Sequence, residues 1–111
     1  MPSEVETAFI VAFTTVGSRE EATKIATLLI EERLAACVNI LPGIESVYSW
    51  KGEIHADPEI KLMIKTRRSL EDALISRVVE LHSYDVCEVT CLPIVAGNPP
   101  YLDWLAANTK A

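Results

Sequence analysis

Apolar and polar residues follow two different spacings along this chain, one typical of strands and one typical of helices. Residues 8–15, AFIVAFTT, are all apolar, β-branched or aromatic, which predicts a strand buried on both faces. After Gly17, Ser18 and Glu21 have the spacing of a capping box, which favours a helix start. Apolar residues then recur at i, i+3, i+4 and i+7, which predicts an amphipathic helix over residues 19–32: Ala22, Ile25, Ala26 and Leu29.

A long hairpin is predicted next. Residues 34–41 favour a second strand, Pro42-Gly43 indicates a bulge or kink, and the strand resumes over residues 44–50. Lys51-Gly52 predicts a hairpin turn, and the return strand runs to about Thr66. In the return strand apolar residues alternate with charged ones, so that one face is covered and the other is partly polar: Ile60, Leu62 and Ile64.

The second half of the chain repeats the order of the first. Ser69 and Asp72 resemble another capping box, and residues 88–95 predict a fourth strand. Asn98-Pro99 places a cap before a proline at the first helical position, which starts a short helix that ends near Asn108. Between the box and the strand lies a second apolar stripe of helical spacing: Leu70, Ala73, Leu74, Val78 and Leu81.

This order of elements is β-α-β-β-α-β with a terminal helix. Two β-α-β halves with right-handed crossovers give an α+β, ferredoxin-like antiparallel sheet with spatial strand order 4-1-3-2, helices on one face and a short C-terminal helix. A chain of 111 residues is close to the commonest size of one domain, so we expect one domain over residues 1–111.

The composition predicts that chains of this fold also assemble into an oligomer. Half of the residues are hydrophobic, although the net charge is −6, and a small monomer rarely hides that much apolar material. The surplus predicts a second buried surface, most simply an oligomer interface. The acidic balance argues against nucleic-acid binding, because phosphate neutralisation needs clustered Lys and Arg.

The same sequence predicts a cytoplasmic protein without a membrane partner. The first ten residues, MPSEVETAFI, carry acids where a targeting segment would carry basic residues, and no apolar run approaches ~18 residues. Three cysteines, an odd number, fit a reducing compartment better than a secreted disulfide scaffold.

Thiol and imidazole side chains are the first candidates for chemistry, because they suit copper and zinc. No pair has the spacing of a self-contained zinc site. Cys87 and Cys91 would lie ~13 Å apart in an extended strand, and Cys37 and Cys91 ~14 Å apart at opposite sheet edges. A site that joins Cys37 to His82 or Cys87 of another subunit stays open, as does Cys37 as a small buried hydrophobe. The full candidate set is Cys37, His55, His82, Cys87 and Cys91.

A small-ligand pocket between subunits is the second candidate. Aromatic and ionisable residues of the kind that line such pockets are present, and the same types also anchor interfaces. Lys65 and Glu88 could equally form an ion pair between subunits. No nucleophile elbow, Gly-rich phosphate loop or H-E-x-x-H motif is present, which predicts that the protein is not an enzyme. The pocket candidates are Trp50, Lys65, His82, Tyr84, Glu88, Tyr101 and Trp104.

Four separated segments carry a family resemblance. ERLAACVNILPGIESVYSWKGEI, IKT, HSYDVCE and NPPYLDWL resemble the signature segments of the CutA family of divalent-cation tolerance proteins, over about Phe9 to Ala107. The resemblance implies a homotrimer of ferredoxin-like subunits, similar in architecture to PII signalling proteins, with the aromatic segments near subunit boundaries. It implies a non-catalytic role in tolerance of copper or another divalent cation. The alternative it leaves open is a PII-like module that binds a small anionic ligand between subunits.

Two positions depart from the family pattern. Family members usually have proline before the residue that corresponds to Glu88, where this chain has Cys87. Relatives can carry a thiol in the first strand, where this chain has Phe13 and no sulfur. A metal site built on that strand's thiol therefore does not transfer to this sequence.

Overall fold

The computed structural model describes residues 8–111 as a four-stranded sheet with three helices. Residues 1–7 lie outside the described residues, and with them most of the stretch used to argue against a targeting segment. Among the described helices, none is both long enough and apolar enough to span a bilayer. The strands are β1 (Phe9–Val16), β2 (Cys37–Trp50), β3 (Glu53–Arg67) and β4 (Thr90–Pro93), and the helices are α1 (Arg19–Glu31), α2 (Glu71–Leu81) and α3 (Pro99–Ala107).

The sheet has the strand order β2-β3-β1-β4, which confirms the predicted 4-1-3-2 arrangement. Every neighbouring pair is antiparallel, and β1 pairs with β3 along its whole length, from Phe9 opposite Arg67 to Val16 opposite Ile60. β2 and β4 are therefore the two edge strands. This α+β, ferredoxin-like fold is the one that the order of sequence elements predicted.

The core lies between α1, α2 and one face of the sheet. Strict alternation buries every second residue along β1 and along residues 61–67 of β3, and the predicted stripe of α1 is buried against them. In α2, Leu74 and Val78 are buried, whereas Ala73 is exposed. Two hydroxyls on the covered face, Thr14 Oγ1 and Thr66 Oγ1, are buried without a hydrogen-bond partner in residues 8–111.

The opposite face of the sheet is covered at one end by α3. Arg67, at the end of β3, donates from Nε to Thr109 Oγ1 at 2.9 Å and from Nη2 to the carbonyl of Ala106. The chain after the helix is held as well, because the Lys110 amide donates to the Arg33 carbonyl at 3.0 Å. These contacts fix the position of α3 on the sheet. The remainder of this helix-free face stays open to other contacts.

The β2–β3 hairpin forms as predicted, with its irregularity at the predicted place. The register shifts between Leu41 and Ile44, where Gly43 has φ +78°, a conformation that glycine adopts without a Cβ penalty. At the turn, Lys51 (φ +52°) and Gly52 (φ +80°) both have the positive φ of a two-residue hairpin turn whose twist matches its strands. The hairpin runs on past the end of β1 as a two-stranded arm.

The fourth strand is shorter than predicted, because its partner groups on β1 are used elsewhere. β4 pairs with β1 only from Ile10 to Phe13. Backbone groups of every second β1 residue point toward β4, and the next of these residues after Phe13 is Thr15, whose carbonyl instead contacts His82 Nε2 at 2.8 Å. At the other end the Ile94 amide donates to the carbonyl of Phe9 at 2.9 Å, and the pairing stops there because Phe9 is the first residue of β1. Cys87 and Glu88 therefore lie in the coil before β4.

The two predicted capping boxes have different outcomes. At α1 the Glu21 amide donates to Ser18 Oγ at 3.2 Å, as predicted, but the Glu21 carboxylate binds Ser83 and does not reach back to the cap. The prediction of the second capping box is wrong. Ser69 lies inside a 3-10 turn, Arg68–Leu70, and α2 begins after it at Glu71 without a side-chain cap.

Candidate functional site

The residues predicted for a single pocket lie in separate parts of the chain's fold. Trp50 and Tyr84 line a groove beside the arm, whereas Tyr101 and Trp104 stack on each other on α3 with Lys65 close by. The imidazole of His82 is buried beside Tyr84, with 4.6 Å between the ring centres. A single chain therefore does not bring the whole predicted set together.

The groove beside the arm, called the arm groove below, is a concavity of about 250 Å³. The hairpin supplies one wall, because residues two apart on a strand project to the same side. The coil that follows α2 supplies the other wall. The lining residues are Tyr48, Trp50, Tyr84, Asp85 and Val86.

Both tyrosine hydroxyls of the arm groove are held by carboxylates of β3. Tyr48 Oη donates to Asp57 Oδ2 at 2.5 Å, and this bond raises the pKa of the Tyr48 phenol. Tyr84 Oη donates to Glu59 Oε2 at 2.8 Å; burial first, and then this bond, raise the pKa of Tyr84 well above its usual range. A Cβ on Gly17 would lie 3.2 Å from the Tyr84 hydroxyl, so the glycine leaves room for the phenol.

Both ring nitrogens of His82 make contacts within the folded chain. Nε2 lies 2.8 Å from the Thr15 carbonyl and Nδ1 accepts from the Tyr84 amide at 3.1 Å, which assigns the hydrogen to Nε2. The Glu21 carboxylate is 3.6 Å from Nδ1 and binds the amide and hydroxyl of Ser83. His82 therefore positions Tyr84 at the arm groove, and a metal ion at Nδ1 would have to displace the Tyr84 amide.

A second cluster combines positive charge and aromatic rings on the helix-free face. Lys65 Nζ lies 5.8 Å from the centre of the Tyr101 ring, and that ring stacks on Trp104 with 5.6 Å between centres. Lys61 Nζ lies 4.9 Å from the centre of the Phe13 ring. Aromatic faces hold both ammonium groups on this side of β3, where a ligand on the helix-free face would meet them.

The three cysteines are free thiols in three different settings. Cys37 pairs with Lys65 on edge strand β2, which places it on the helix-free face. Cys91 pairs with Ala12 on the opposite edge and on the core side, so Cys37 and Cys91 of the same chain cannot share an ion. Burial raises the pKa of the Cys87 and Cys91 thiols, which disfavours the thiolate that binds metals.

The remaining predicted residues make local contacts. Glu88 accepts a hydrogen bond from the Thr90 hydroxyl at 2.8 Å, and no Lys65–Glu88 ion pair forms within residues 8–111. His55 stacks on Tyr48 with 5.4 Å between ring centres. In the described part of the chain, no three His, Cys, Asp or Glu side chains are grouped to hold a metal ion.

The sequence prediction missed Tyr48 and Asp85, and the carboxylates of Asp57 and Glu59 that hold the two phenols. Tyr48 had a signal, because it is two residues before Trp50 in a predicted strand and must share its side. Asp57 also had one, because the predicted turn at Lys51-Gly52 brings it diagonally across the hairpin from Tyr48. Glu59 had none, since Tyr84 meets it across 25 positions of sequence. Such contacts depend on how the coil after α2 folds back on the arm.

A family model and curated relatives both match this chain over most of its length. A family model described as CutA1 divalent ion tolerance protein matches residues 10–108. The chain is 50% identical over 101 residues to "Protein CutA, chloroplastic" of Arabidopsis thaliana, covering 91% of this chain and 56% of the relative. It is 52% identical over 99 residues to "Divalent-cation tolerance protein CutA" of Thermus thermophilus, covering 89% and 96%.

Solved structures show the same class of fold. The divalent cation tolerance protein (Cut A1) of Thermus thermophilus superposes with a TM-score of 0.89 at 50% identity, covering 92% of this chain and 99% of that one. CutA1 of Oryza sativa gives 0.91 at 50% identity, covering 95% and 96%.

These features define a ferredoxin-like protein with a protruding β-hairpin. The chain belongs to the CutA1 divalent ion tolerance protein family, which confirms the resemblance seen in its sequence. It spans 56–60% of the length of the Arabidopsis, rice and mouse relatives, and nearly all of the Thermus protein.

Proposed function

We propose that the protein is a non-catalytic, cytoplasmic homotrimer that binds a divalent cation, copper foremost, and acts in divalent-metal tolerance. The observation that carries this proposal is the family match over residues 10–108, since the matched relatives are named for divalent-cation tolerance. The subunit contributes single soft ligands, and other subunits complete the coordination.

Exposed apolar side chains on the arm and on edge strand β4 support the assembly. Ile54 is 82% exposed, Val47 66% and Leu92 56%. A two-stranded ribbon is marginally stable by itself, and a bare sheet edge invites pairing with another chain. Further copies of the chain would cover both features, and closed symmetric assembly is the usual way for soluble proteins to do so.

The position of Cys37 supports a site shared between subunits. It lies on an edge strand, half-buried, on the helix-free face. Thiolate suits copper better than oxygen ligands do. Cys87, in the coil before β4, and His82 are the ligands proposed from a neighbouring subunit, with the Tyr84 amide released where Nδ1 of His82 takes part.

Calorimetric titration with Cu(II), combined with light scattering, tests this proposal. We expect stoichiometric binding by a trimer, strongly weakened by Cys37→Ser and by His82→Ala or Cys87→Ser. Cys91→Ser is the matched control, because Cys91 lies on the core side of the other edge strand and should leave the affinity unchanged. Unchanged affinity in all three ligand variants, or a monomer at micromolar concentration, would contradict the proposal.

A second candidate function rests on the two lysines of the helix-free face. Lys61 and Lys65 form no salt bridge within the described chain, and Tyr101 lies against Lys65. This chemistry favours a small anionic ligand between subunits, as in the architecturally similar PII proteins. A thermal-shift screen of anionic metabolites should find a stabiliser whose effect Lys65→Ala abolishes, since a ligand of the native state raises stability. Lys24→Ala, on exposed α1, is the control.

A further inference from the structure

The arm groove has a lining that suits a positive ligand. Three of its five lining side chains are aromatic rings, Tyr48, Trp50 and Tyr84, and the only charged one is Asp85. Neither lysine, arginine nor histidine is among the lining residues. An anion would find no positive partner there, whereas the faces of aromatic rings attract cations through their quadrupole.

The hydrogen bonds of the two tyrosines strengthen this preference. Each phenol gives its only hydrogen to a carboxylate, Tyr48 to Asp57 and Tyr84 to Glu59. The hydroxyls therefore have no hydrogen left for an anionic or carbonyl ligand. A charge-assisted hydrogen bond to a carboxylate also moves electron density toward the phenol ring, which makes the ring face more attractive to a cation.

Asp85 supplies a countercharge on the coil side of the groove. It forms no salt bridge within the described part of the chain. The carboxylates of Asp57 and Glu59 lie at the hydroxyl ends of the two tyrosines. His55 stacks on one face of the Tyr48 ring, and His82 packs against the Tyr84 ring. A cation in the groove would thus be held by the ring surface that these imidazoles leave uncovered, together with the Asp85 carboxylate.

The class of cation follows from the number of oxygen ligands. Hard metal ions need six or more oxygens, or several well-placed donors, and residues 8–111 contain no cluster of three metal-ligating acids, thiols or imidazoles. Methylated ammonium groups need no such cluster, because their diffuse charge and apolar methyl surface pack against aromatic faces. A volume of about 250 Å³ fits one small headgroup.

We propose that the arm groove is a binding site for a methylated-ammonium ligand, held by the faces of Tyr48, Trp50 and Tyr84 and by the charge of Asp85. None of its four residues is a metal ligand in the thiol-based site proposed above, although the Tyr84 amide contacts His82 Nδ1. It is also opposite in charge preference to the lysine cluster of the helix-free face.

Choline chloride is the probe for this proposal, followed by ligand-observed NMR or calorimetry on the full chain at constant ionic strength. The matched ligand is its neutral isostere, in which a tert-butyl group replaces trimethylammonium. We expect saturable choline binding, weakened roughly tenfold or more for the neutral isostere, because the two ligands share shape and differ in charge. Equal affinity for both would show an apolar groove and overturn the proposal, as would no saturable binding of choline.

The two tryptophans of the chain provide the matched protein variants. Trp50 is 49% exposed and Trp104 44%, so their replacement by leucine should be tolerated equally. Trp50→Leu should weaken choline binding roughly tenfold, and Trp104→Leu should leave it unchanged. Choline affinity that is unaffected by Trp50→Leu would contradict the proposal.

Light scattering of each variant will show whether Trp50→Leu alters assembly. If it does, Asp85→Asn is the second variant that tests the arm groove. This substitution removes only the charge, and we expect choline affinity to fall several-fold while the affinity for the neutral isostere stays the same. Asp103→Asn, which lines a different cavity by Gly97 and Pro99, is the charge control. An equal loss in both aspartate variants would indicate general electrostatic attraction and would overturn the assigned site.

Discussion

The two halves of the β2–β3 hairpin both have apolar residues on both strands, but their surroundings differ. In the base, formed by residues 37–41 and 61–67, every second residue of β3 is buried under the helices. In the arm, residues 44–50 and 53–59, apolar residues also occur on both strands but stay largely exposed. An alternating pattern therefore indicates a strand in both halves, but only tertiary contacts decide whether its apolar side faces a core.

The largest expected effect belongs to the core over the hairpin base. Leu74→Ala removes a fully buried side chain of α2 and should lower the free energy of unfolding by about 2–5 kcal/mol. Urea denaturation followed by circular dichroism measures this change. Thr27→Ala, on the exposed side of α1, is the control and should change stability little. A loss near that of the control would show that the base is less well packed than its burial indicates.

The arm should respond through assembly. Ile54→Arg places a charge on its most exposed apolar position, and under the proposed trimer we expect a smaller particle in light scattering with unchanged secondary structure. Lys51→Arg, at the tip of the same hairpin, keeps its charge and should not change the particle mass. If Ile54→Arg kept the full mass, the arm would not be the covered surface.

A smaller effect of opposite sign is expected inside the base. Thr66 Oγ1 is buried without a partner in the described chain, so Thr66→Val removes an unsatisfied polar group with little change of shape. The free energy of unfolding should rise by about 1 kcal/mol. Thr90→Val is the contrasting variant, because its hydroxyl donates to Glu88 at the surface. Destabilisation by Thr66→Val would indicate that a bound water satisfies this hydroxyl.

The smallest effect concerns the hydrogen bond of Tyr48 on the arm. Because the bond to Asp57 raises the pKa of Tyr48 in the folded state, its contribution to stability is complete below the ordinary phenol pKa of about 10. It is lost as the pH rises through the higher folded-state pKa. The stability difference between wild type and Tyr48→Phe should thus be present at neutral pH and disappear in alkali. Phenolate absorbance should show that Tyr48 ionises at a higher pH in the folded protein than in urea.

Much of the fold could be predicted from short-range patterns. The stripe from Ala22 to Leu29, the bulge at Pro42-Gly43 and the turn at Lys51-Gly52 each depend on neighbouring residues, and each is confirmed. The predictions that failed involve competition from distant groups. Glu21 binds Ser83, 62 positions away, instead of closing its capping box, and His82 takes the Thr15 carbonyl that would have extended β4.

The candidate sites could be predicted only in part, for the same reason. Composition marked Trp50, Tyr84 and Lys65 as residues of functional type, but residue type does not say which of them meet. The structure groups Trp50 with Tyr84 and separates both from Lys65, because the arm and α3 lie on different parts of the sheet. Sequence spacing alone contains no measure of that separation.

The bulge at Gly43 changes which positions of β2 lie on the same side of the sheet. Before it, odd-numbered residues of β2 such as Cys37 face Lys65; after it, even-numbered residues such as Tyr48 face His55. Tyr48 and Trp50 therefore share the side of Cys37 because the bulge absorbs one extra residue. Deleting Gly43 would remove the bulge together with the extra residue, and plain alternation from Leu41 would then keep both rings on this side. Inserting a residue in the regular part of the arm, between Ile44 and Tyr48, would instead turn both rings to the other side.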